Sequence, residues 1–434
     1  MTDSHIRLAV DIGGTFTDAV IEKDGVYATE KLLTTPAIPA QGFLTAAMKV
    51  LEATGTQPSD VELIIHGTTL ATNALIEQKG AKTALIVTEG HRDSLEIAFE
   101  NRFDQYDFDA HRSPPLVPRH FRLPVTERMN WRGAILIPLD EGSVEALIPE
   151  IERQEIESVA IGLLHAYANP NHEKRIKEIL RAALPDLFIS LSSEVCPEIR
   201  EYDRQSTTCA NAYIQPLMAR YLEDVRESLA ESGFSCPCLI MTSGGSLVTI
   251  DTATDFPVRL LESGPAGGAI LACSIARQLG ENRVISFDMG GTTAKICLID
   301  NGAPLLSRSF EVNRAHRFMK GSGMPVKVPV VEMVEIGAGG GSIAGVDNLG
   351  RINVGPESAG AEPGPACYGL GGERATVTDA NVLLGRIEPE GFAGGTMTLD
   401  AEAAPAAIAR DVGAAMALDT SAAALGVVEI VDEN

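Results

Sequence analysis

The chain has 434 residues, of which 45% are hydrophobic, 22% charged and 5% aromatic, and these values are typical of a globular protein with more than one domain. Its net charge of −24 argues against binding to nucleic acid or to an anionic membrane surface, because both attract lysine and arginine. No apolar run is long enough to span a membrane, and the polar segment Met1–Arg7 leads directly into a strand without a secretory signal, so we expect a cytoplasmic protein.

The first predicted element is a β-hairpin with a glycine-rich turn. An apolar strand beginning at Leu8 ends in Asp11, the turn is Gly13-Gly14-Thr15, and a second strand containing Thr17 runs to Gly25. Glycines allow a backbone to approach an anion, threonine hydroxyls add donors, and an aspartate can hold Mg²⁺ through water or orient an attacking group. The hairpin predicts a phosphate-binding turn, and the alternative is a tight turn without a ligand.

Strands and helices then alternate, which predicts an α/β domain with largely parallel strands. The predicted helices are Ala37–Thr54, Ser143–Arg153 and His172–Ala183, and the predicted strands are Leu63–Ile65, Thr83–Val87, Ser158–Leu164 and Leu187–Leu191. The polar, proline-containing segment Asn101–Arg132 is predicted to lie at the edge of this domain.

The segment His66-Gly-Thr-Thr69 ends one of these strands and opens a helix. Free N–H groups at a helix start favour an anion or a carbonyl oxygen, so we expect the substrate here, with His66 as a candidate catalytic residue. The alternative is a capping threonine beside a buried histidine.

A long helical pattern, Glu201–Ser232, leads into the second half of the chain. The loop Glu262–Gly268 follows and precedes a predicted helix, Ala269–Leu279. Its glycines Gly267 and Gly268 are candidate cofactor-binding residues, and the alternative is close helix packing through small residues.

The glycine-rich hairpin then recurs. Residues Leu8–Gly25 align without gaps on Ile285–Gly302, so that Asp288 corresponds to Asp11 and Gly290-Gly291-Thr292-Thr293 repeats the turn. The repeat predicts two related lobes, residues 1–199 and 200–434. Two such hairpins facing each other resemble the turns with which actin-like ATPases hold nucleotide phosphates between their lobes. Asp11 and Asp288 are then the candidate catalytic and Mg²⁺-binding residues.

Two other patterns do not predict a separate site. Gly337–Ser342 is superficially similar to a dinucleotide-binding loop, but a hairpin (Ile343–Val346 and Arg351–Val354) follows it where such a site needs a helix. The seven cysteines are odd in number and lack Cys-x-x-Cys spacing, which favours buried free thiols, and the eight histidines have no metal-ligand spacing. The only metal we expect is Mg²⁺ carried with a nucleotide.

The motifs together resemble the A-type subunit of the hydantoinase/oxoprolinase family. The resemblance lies in Asp11-Ile-Gly-Gly-Thr-Phe-Thr-Asp18, His66-Gly-Thr-Thr-Leu-Ala-Thr-Asn73, Ser263-Gly-Pro-Ala-Gly-Gly268, Asp288-Met-Gly-Gly-Thr-Thr293, Glu335-Ile-Gly-Ala-Gly-Gly-Gly-Ser342, Pro363-Gly-Pro-Ala-Cys-Tyr368 and Thr376-Val-Thr-Asp-Ala-Asn381. It implies duplicated α/β lobes of the actin/hexokinase/Hsp70-like (ribonuclease H-like) fold.

The resemblance also implies a function. The family's A part uses ATP and Mg²⁺ to phosphorylate a carbonyl oxygen of a cyclic amide or imide, such as a hydantoin, 5-oxoproline or a lactam, and a B-type subunit completes the hydrolysis. Related assemblies instead carboxylate acetone or acetophenone. A third possibility is a non-catalytic actin-like regulator or reactivase.

One departure concerns the C-terminal end. The family has a further glycine-rich loop after the point where this sequence ends, and analogy with actin-like folds places adenosine there. We therefore expect the C-terminal part to be missing, either because the chain is truncated or because the remainder is a separate chain. We also expect ATP binding by this chain alone to be weak, and exposed apolar surface to favour a homo-oligomer.

Overall fold

The computed structural model describes residues 5–35, 38–99, 103–314, 319–395 and 397–433. Its strands are β1 (Ile6–Ile12), β2 (Phe16–Lys23), β3 (Val26–Leu33), β4 (Leu63–Thr68), β5 (Thr83–Thr88), β6 (Arg122–Val125), β7 (Arg128–Met129), β8 (Ile135–Ile137), β9 (Ser158–Ile161), β10 (Phe188–Leu191), β11 (Cys238–Met241), β12 (Leu247–Thr249), β13 (Arg283–Met289), β14 (Ala294–Asp300), β15 (Ala303–Pro304), β16 (Leu306–Ser307), β17 (Phe310–Val312), β18 (Met324–Val326), β19 (Val330–Val331), β20 (Met333–Ile336), β21 (Ser342–Val346) and β22 (Ile352–Ser358). Its α-helices are α1 (Pro39–Thr54), α2 (Leu70–Ile76), α3 (Ser94–Ile97), α4 (Glu141–Glu145), α5 (Ile148–Arg153), α6 (Asn171–Ala183), α7 (Ser192–Val195), α8 (Glu201–Glu231), α9 (Ile250–Asp255), α10 (Ser263–Leu279), α11 (Val377–Leu383), α12 (Ala403–Ile408), α13 (Ala414–Met416) and α14 (Thr420–Asp432).

The first sheet holds the first glycine-rich hairpin. Its order is β12-β11-β4-β1-β2-β3, with β1 antiparallel to β2 but parallel to β4. Alternate residues of β1, Leu8, Val10 and Ile12, are buried in a core that helices α1 and α8 also line. The strand therefore carries its apolar face into the core and leaves Asp11, on the other face, at the carboxyl edge of the sheet.

A second sheet follows in the order β10-β9-β5-β6, and all of its neighbouring strands are parallel. Strands β5 and β9 are buried at every residue. Such continuous burial is expected of parallel strands that are covered on both faces. Helix α8 packs against β9 and β10 as well as against α1, so it joins this sheet to the first one.

The second glycine-rich hairpin, β13–β14, belongs to a sheet in which β15 and β20 also pair with β14. One face of this sheet, including Cys297 and Ile299, packs on α10 through Ala269 and Cys273. A separate core lies beneath the β21–β22 hairpin, where helices α11, α12 and α14 converge.

The division at residue 199/200 remains a prediction, and packing contacts cross it. Helix α8 and strands β11 and β12 come after that point in sequence, yet they pack with the first hairpin, and β11 pairs with β4. The repeat locates the two hairpins but carries no information about which sheet accepts the strands between them.

Most predicted elements match the structure within a few residues. The exceptions include the predicted helix Ser143–Arg153, which is two short helices, α4 and α5. Position 37, the predicted start of the first helix, lies outside the described residues. The seven cysteines are free, and five of them are buried. Within the described ranges, no single helix has the length and apolarity to cross a membrane, although the bent pair Ala403–Met416 and Thr420–Asp432 passes the same criteria jointly.

Candidate active site

The two glycine-rich turns meet at one place in the molecule. A β-carbon added to Gly291 would lie 2.9 Å from Thr15 Oγ1, so the second turn touches the first. The carboxylate of Asp288 is also close enough to that of Asp11 to raise its pKa. The structure therefore brings together the two aspartates and the two turns that the sequence repeat singled out.

Backbone donors are available on both turns. Among the described residues, no hydrogen bond uses the amide N–H of Gly14, Thr15, Gly291 or Thr292. The turns themselves are closed by Gly13 N–H to Phe16 O (2.9 Å) and by Gly290 N–H to Thr293 O (3.0 Å). In each hairpin one amide N–H thus closes the turn, and the next two amides stay free. Consecutive free amides of this kind can bind phosphate oxygens.

A third glycine segment, which sequence analysis did not assign to the site, supports the second turn. Gly340 N–H donates to Gly290 O (3.0 Å) and Gly341 N–H donates to Gly291 O (2.6 Å). A β-carbon on Gly339 would lie 2.6 Å from Thr292 N, so only glycine allows this approach. The high glycine content of this segment was visible in the sequence, but its contact with the second turn was not.

Asp11 occupies a desolvated position beside the turns. Its Oδ1 is buried and has no hydrogen-bond partner among the described residues. A β-carbon on Gly67 would lie 2.5 Å from that oxygen, and one on Gly264 would lie 3.1 Å from both carboxylate oxygens. Burial, and then the charges of Asp18 and Asp288, raise the pKa of Asp11 to about 6. Two glycines therefore keep space open around a carboxylate whose charge Lys31 compensates only in part.

These features fit a nucleotide phosphate chain with its Mg²⁺. A buried carboxylate oxygen without a partner is a costly arrangement that a hard cation or its bound water would relieve. The described residues contain no group of three or more His, Cys, Asp or Glu that could hold a metal alone. Asp11 and Asp288 would therefore share an ion with the phosphate oxygens, as Mg²⁺ commonly does.

His66 does not face this cleft. Its ring is fully buried, with Nδ1–H donating to Val10 O (2.9 Å) and Nε2 accepting from the Tyr221 hydroxyl (2.6 Å). Burial lowers its pKa to about 4, so the ring is neutral near pH 7. Both nitrogens are used inside the core, and His66 has the geometry of a positioning residue for β1 and β4.

The neighbouring amides are also occupied. Thr69 N–H donates to Ile12 O (2.9 Å), and Thr68 N–H donates to Ser263 Oγ (3.3 Å). The segment therefore ties β4 to β1 and to the start of α10. The amides of Thr68 and Thr69 are therefore not open donors.

The remaining candidate residues differ in their access to the site. Thr17 is buried, and its hydroxyl pairs with that of Thr34 (3.1 Å), so it supports the first turn from behind. Gly267 and Gly268 lie within α10, and a β-carbon added to either would meet no atom of Asp11 within 4 Å. Gly264, one turn earlier in the same helix, holds the position next to Asp11 instead.

The comparison with known families agrees with the geometry. The model for the hydantoinase/oxoprolinase N-terminal region matches residues 7–184, and the hydantoinase/oxoprolinase model matches residues 204–434. The chain belongs to the hydantoinase/oxoprolinase family. The resemblance read from the sequence motifs is thereby confirmed.

Relatives of this hydantoinase/oxoprolinase family member are ATP-dependent hydrolase and carboxylase subunits. The chain is 37% identical over 441 residues to the caprolactamase subunit alpha of Pseudomonas jessenii, covering 100% of this chain and 62% of that protein. It is 33% identical over 451 residues to the acetophenone carboxylase gamma subunit of Aromatoleum aromaticum, covering 100% of this chain and 60% of that subunit.

Two solved structures share the fold. A nucleotide-free acetone carboxylase aligns with a TM-score of 0.84 at 27% identity, covering 99% of this chain and 62% of that one. The ATP-dependent caprolactamase of Pseudomonas jessenii aligns with a TM-score of 0.78 at 37% identity, covering 98% and 61%. Both have actin/hexokinase-like ATPase lobes, so the predicted fold class is confirmed. The chain spans about 60% of the length of these relatives.

Proposed function

We propose that this chain is the ATP-using part of an enzyme that opens a cyclic amide or imide by phosphorylating its carbonyl oxygen. The observation that carries the proposal is the meeting of the two Asp-x-Gly-Gly-Thr turns, each with two free backbone amides, together with the Asp11 Oδ1, which is buried and has no partner among the described residues. Caprolactamase, a relative that matches along the whole chain, supports a lactam-like substrate.

The proposed work of the residues follows from their positions. The amides of Gly14, Thr15, Gly291 and Thr292 would bind phosphate oxygens and hold the chain of phosphates between the two turns. Asp11 and Asp288 would hold Mg²⁺, which supplies neutralisation of the charge on the phosphates. Phosphoryl transfer needs mainly positioning and electrostatic stabilisation, and these groups offer both.

Once the amide oxygen carries phosphate, the carbonyl carbon is activated toward water. Water adds to this carbon, and the C–N bond then breaks as the ring nitrogen takes up a proton, which opens the ring and leaves an acyl phosphate. A second water hydrolyses the acyl phosphate to a carboxylate and inorganic phosphate. We assign these hydrolytic steps to a hydantoinase B-type partner subunit. The subunit organisation of caprolactamase and of the carboxylases supports a partner.

The proposal also includes the cellular compartment of the protein. Seven free cysteines support a reducing environment, and we place the protein in the cytoplasm.

Substitution of Asp288 tests the proposal. The protein, co-purified with the product of a neighbouring B-type gene, is assayed for ATP hydrolysis with hydantoin, 5-oxoproline and caprolactam. We expect one of them to stimulate hydrolysis and Asp288→Ala to abolish that stimulation while the protein stays folded. Asp300→Ala is the matched control, because Asp300 is exposed at the far end of the same hairpin. Full stimulated activity in Asp288→Ala would refute the proposed site.

A carboxylase subunit is a second candidate function. The alignment with acetone carboxylase, at a TM-score of 0.84, specifically favours it. ATP hydrolysis that depends on a ketone together with bicarbonate, and not on any lactam, would select the carboxylase over the amide hydrolase. Both functions use the same phosphate site, so Asp288→Ala would abolish either activity.

A further inference from the structure

The carboxyl edge of the second sheet has the topology of a ligand site. In the order β10-β9-β5-β6, the chain leaves β5 toward β6 and leaves β9 toward β10. The loops after the adjacent strands β5 and β9 therefore diverge and open a crevice between them. In parallel α/β sheets, ligands bind at such switch points.

Two histidines lie in these two loops. His91 follows the end of β5 and His165 follows the end of β9, and both are partly exposed. The guanidinium Nη1 of Arg128 donates to His91 Nε2 at 3.1 Å. On the other side, Glu201 Oε1 lies 3.9 Å from His165 Nδ1. Burial first, and then the neighbouring Arg128, lower the pKa of His91.

A buried polar network fixes the loops from below. Thr88 accepts a hydrogen bond from Leu164 N–H (3.0 Å) and donates to Glu127, which also accepts from His172 Nδ1–H (2.8 Å). Arg204 and Gln205, at the start of α8, donate to the carbonyls of Leu163 (2.9 Å) and Gly162 (2.7 Å). The groups at the surface are therefore held by partners that cannot easily move.

The backbone at this edge is strained. His165 has φ of 56° and Arg200 has φ of 81°, conformations that side chains other than glycine rarely adopt. Such strain persists only where the surroundings hold it, and it concentrates at binding and catalytic sites. At residue 165 this conformation belongs to the loop whose imidazole lies beside Glu201.

Arg128 supplies the recognition chemistry. Within the described part of the chain, no carboxylate forms an ion pair with its guanidinium, and its one side-chain hydrogen-bond partner is the imidazole of His91. Glu127, its neighbour in sequence, is buried and already bonded to Thr88 and His172. The guanidinium therefore keeps donors that match a planar carboxylate.

We propose that this crevice is a second binding site, which takes a small organic carboxylate on Arg128 with His91, His165 and Glu201 around it. It is distinct from the phosphate site. Arg204 at this edge and Tyr221, which bonds His66 beneath the first sheet, are separated by about 25 Å along α8. The proposal does not depend on the reaction at Asp11 and Asp288.

Calorimetric titration of the full chain with acetate, succinate and L-glutamate, and separately with inorganic phosphate, tests it. We expect saturable binding of at least one carboxylate, and weaker binding of phosphate. Arg128→Gln should raise the dissociation constant about tenfold or more, the loss expected for a charged hydrogen-bonded pair. Arg132→Gln, an exposed arginine stacked on Trp131 in the same ribbon, should leave it within about twofold.

A second variant separates binding from folding. His165→Gly removes the imidazole but suits the left-handed backbone, so it should keep or raise the melting temperature while weakening carboxylate binding. Three results would overturn the proposal: no saturable binding of any of the three carboxylates, equal binding to the wild type and Arg128→Gln, or equal affinity for phosphate.

Discussion

At the scale of single residues, Asp11 is a carboxylate in a buried position that disfavours its ionised form. Its pKa is raised to about 6, so folding disfavours the ionised form. The associated stability is fully present below the pKa of the unfolded chain, near 3.8, and is lost as the pH rises through about 6. A shift of this size corresponds to about 2 to 3 kcal/mol at neutral pH.

Asp11→Asn should therefore stabilise the protein while abolishing ATP turnover. We expect its free energy of unfolding to exceed that of the wild type by up to about 2 to 3 kcal/mol at pH 8, with the difference shrinking as the pH falls toward 4. Urea unfolding at several pH values measures this difference. Asp224→Asn, on the exposed face of α8, should show no such trend, and a difference that did not change with pH would contradict the assigned burial of charge.

A second prediction at this scale concerns the hydrogen bond between His66 and Tyr221. Tyr221→Phe removes the hydroxyl that donates to His66 Nε2 and leaves that buried nitrogen without a partner. We expect a loss of about 1 to 3 kcal/mol of stability. Because the pKa of His66 is about 4, the pH profile of ATP hydrolysis should stay in place above pH 5. A shift of the pH profile of ATP hydrolysis in this variant would indicate that His66 takes part in catalysis.

At the scale of elements, three glycine segments from distant parts of the sequence contact one another where we propose that phosphate binds. Gly339→Ala would place a β-carbon 2.6 Å from the backbone of Thr292, which cannot move aside as a side chain can. We expect a loss of about 1 to 3 kcal/mol of stability and a larger fractional loss of nucleotide binding. Gly345→Ala, in β21 with no atom within 4 Å of the added carbon, is the matched control. Equal nucleotide affinity in both variants would show that this segment does not shape the turn.

The sequence was sufficient for the hairpins, since each strand, turn and glycine is local and the repeat doubles the signal. It could not show that Gly67 and Gly264 face Asp11, or that Gly341 bonds to Gly291, because these approaches join residues far apart in sequence. His66 illustrates the same limit. A histidine at a strand end is equally suited to a cleft or to a core, and the partner that decides, Tyr221, is 155 residues away.

At the scale of the whole molecule, one face of the β13–β14–β20 sheet is apolar and uncovered by the described residues. Ile285 and Phe287 on β13 are 66% and 61% exposed, and Leu298 and Val334 on the neighbouring strands are 51% and 61% exposed. The pairing of Ile285 with Leu298 and of Ile296 with Val334 puts these side chains on one surface. A contiguous apolar surface of this kind favours association.

We therefore expect self-association that rises with protein concentration and falls in Phe287→Lys. Sedimentation velocity measures it, and the melting temperature should hardly change because Phe287 is exposed. Leu349→Lys provides the comparison, since Leu349 is 76% exposed in a turn away from this face. Equal association of the two variants would exclude the sheet face as the contact.

The insertion of β11 and β12 into the first sheet has a consequence for biosynthesis. During translation β1 to β4 leave the ribosome long before β11, which pairs with β4 and is itself paired with β12 up to Thr249. Until then β4 is an open edge, with backbone groups that invite pairing with other nascent chains. Closing the sheet also requires a loop of more than one hundred residues, and such non-local pairing is slow. The first lobe is thus completed late, and the interval before β11 emerges is when a chaperone would matter most.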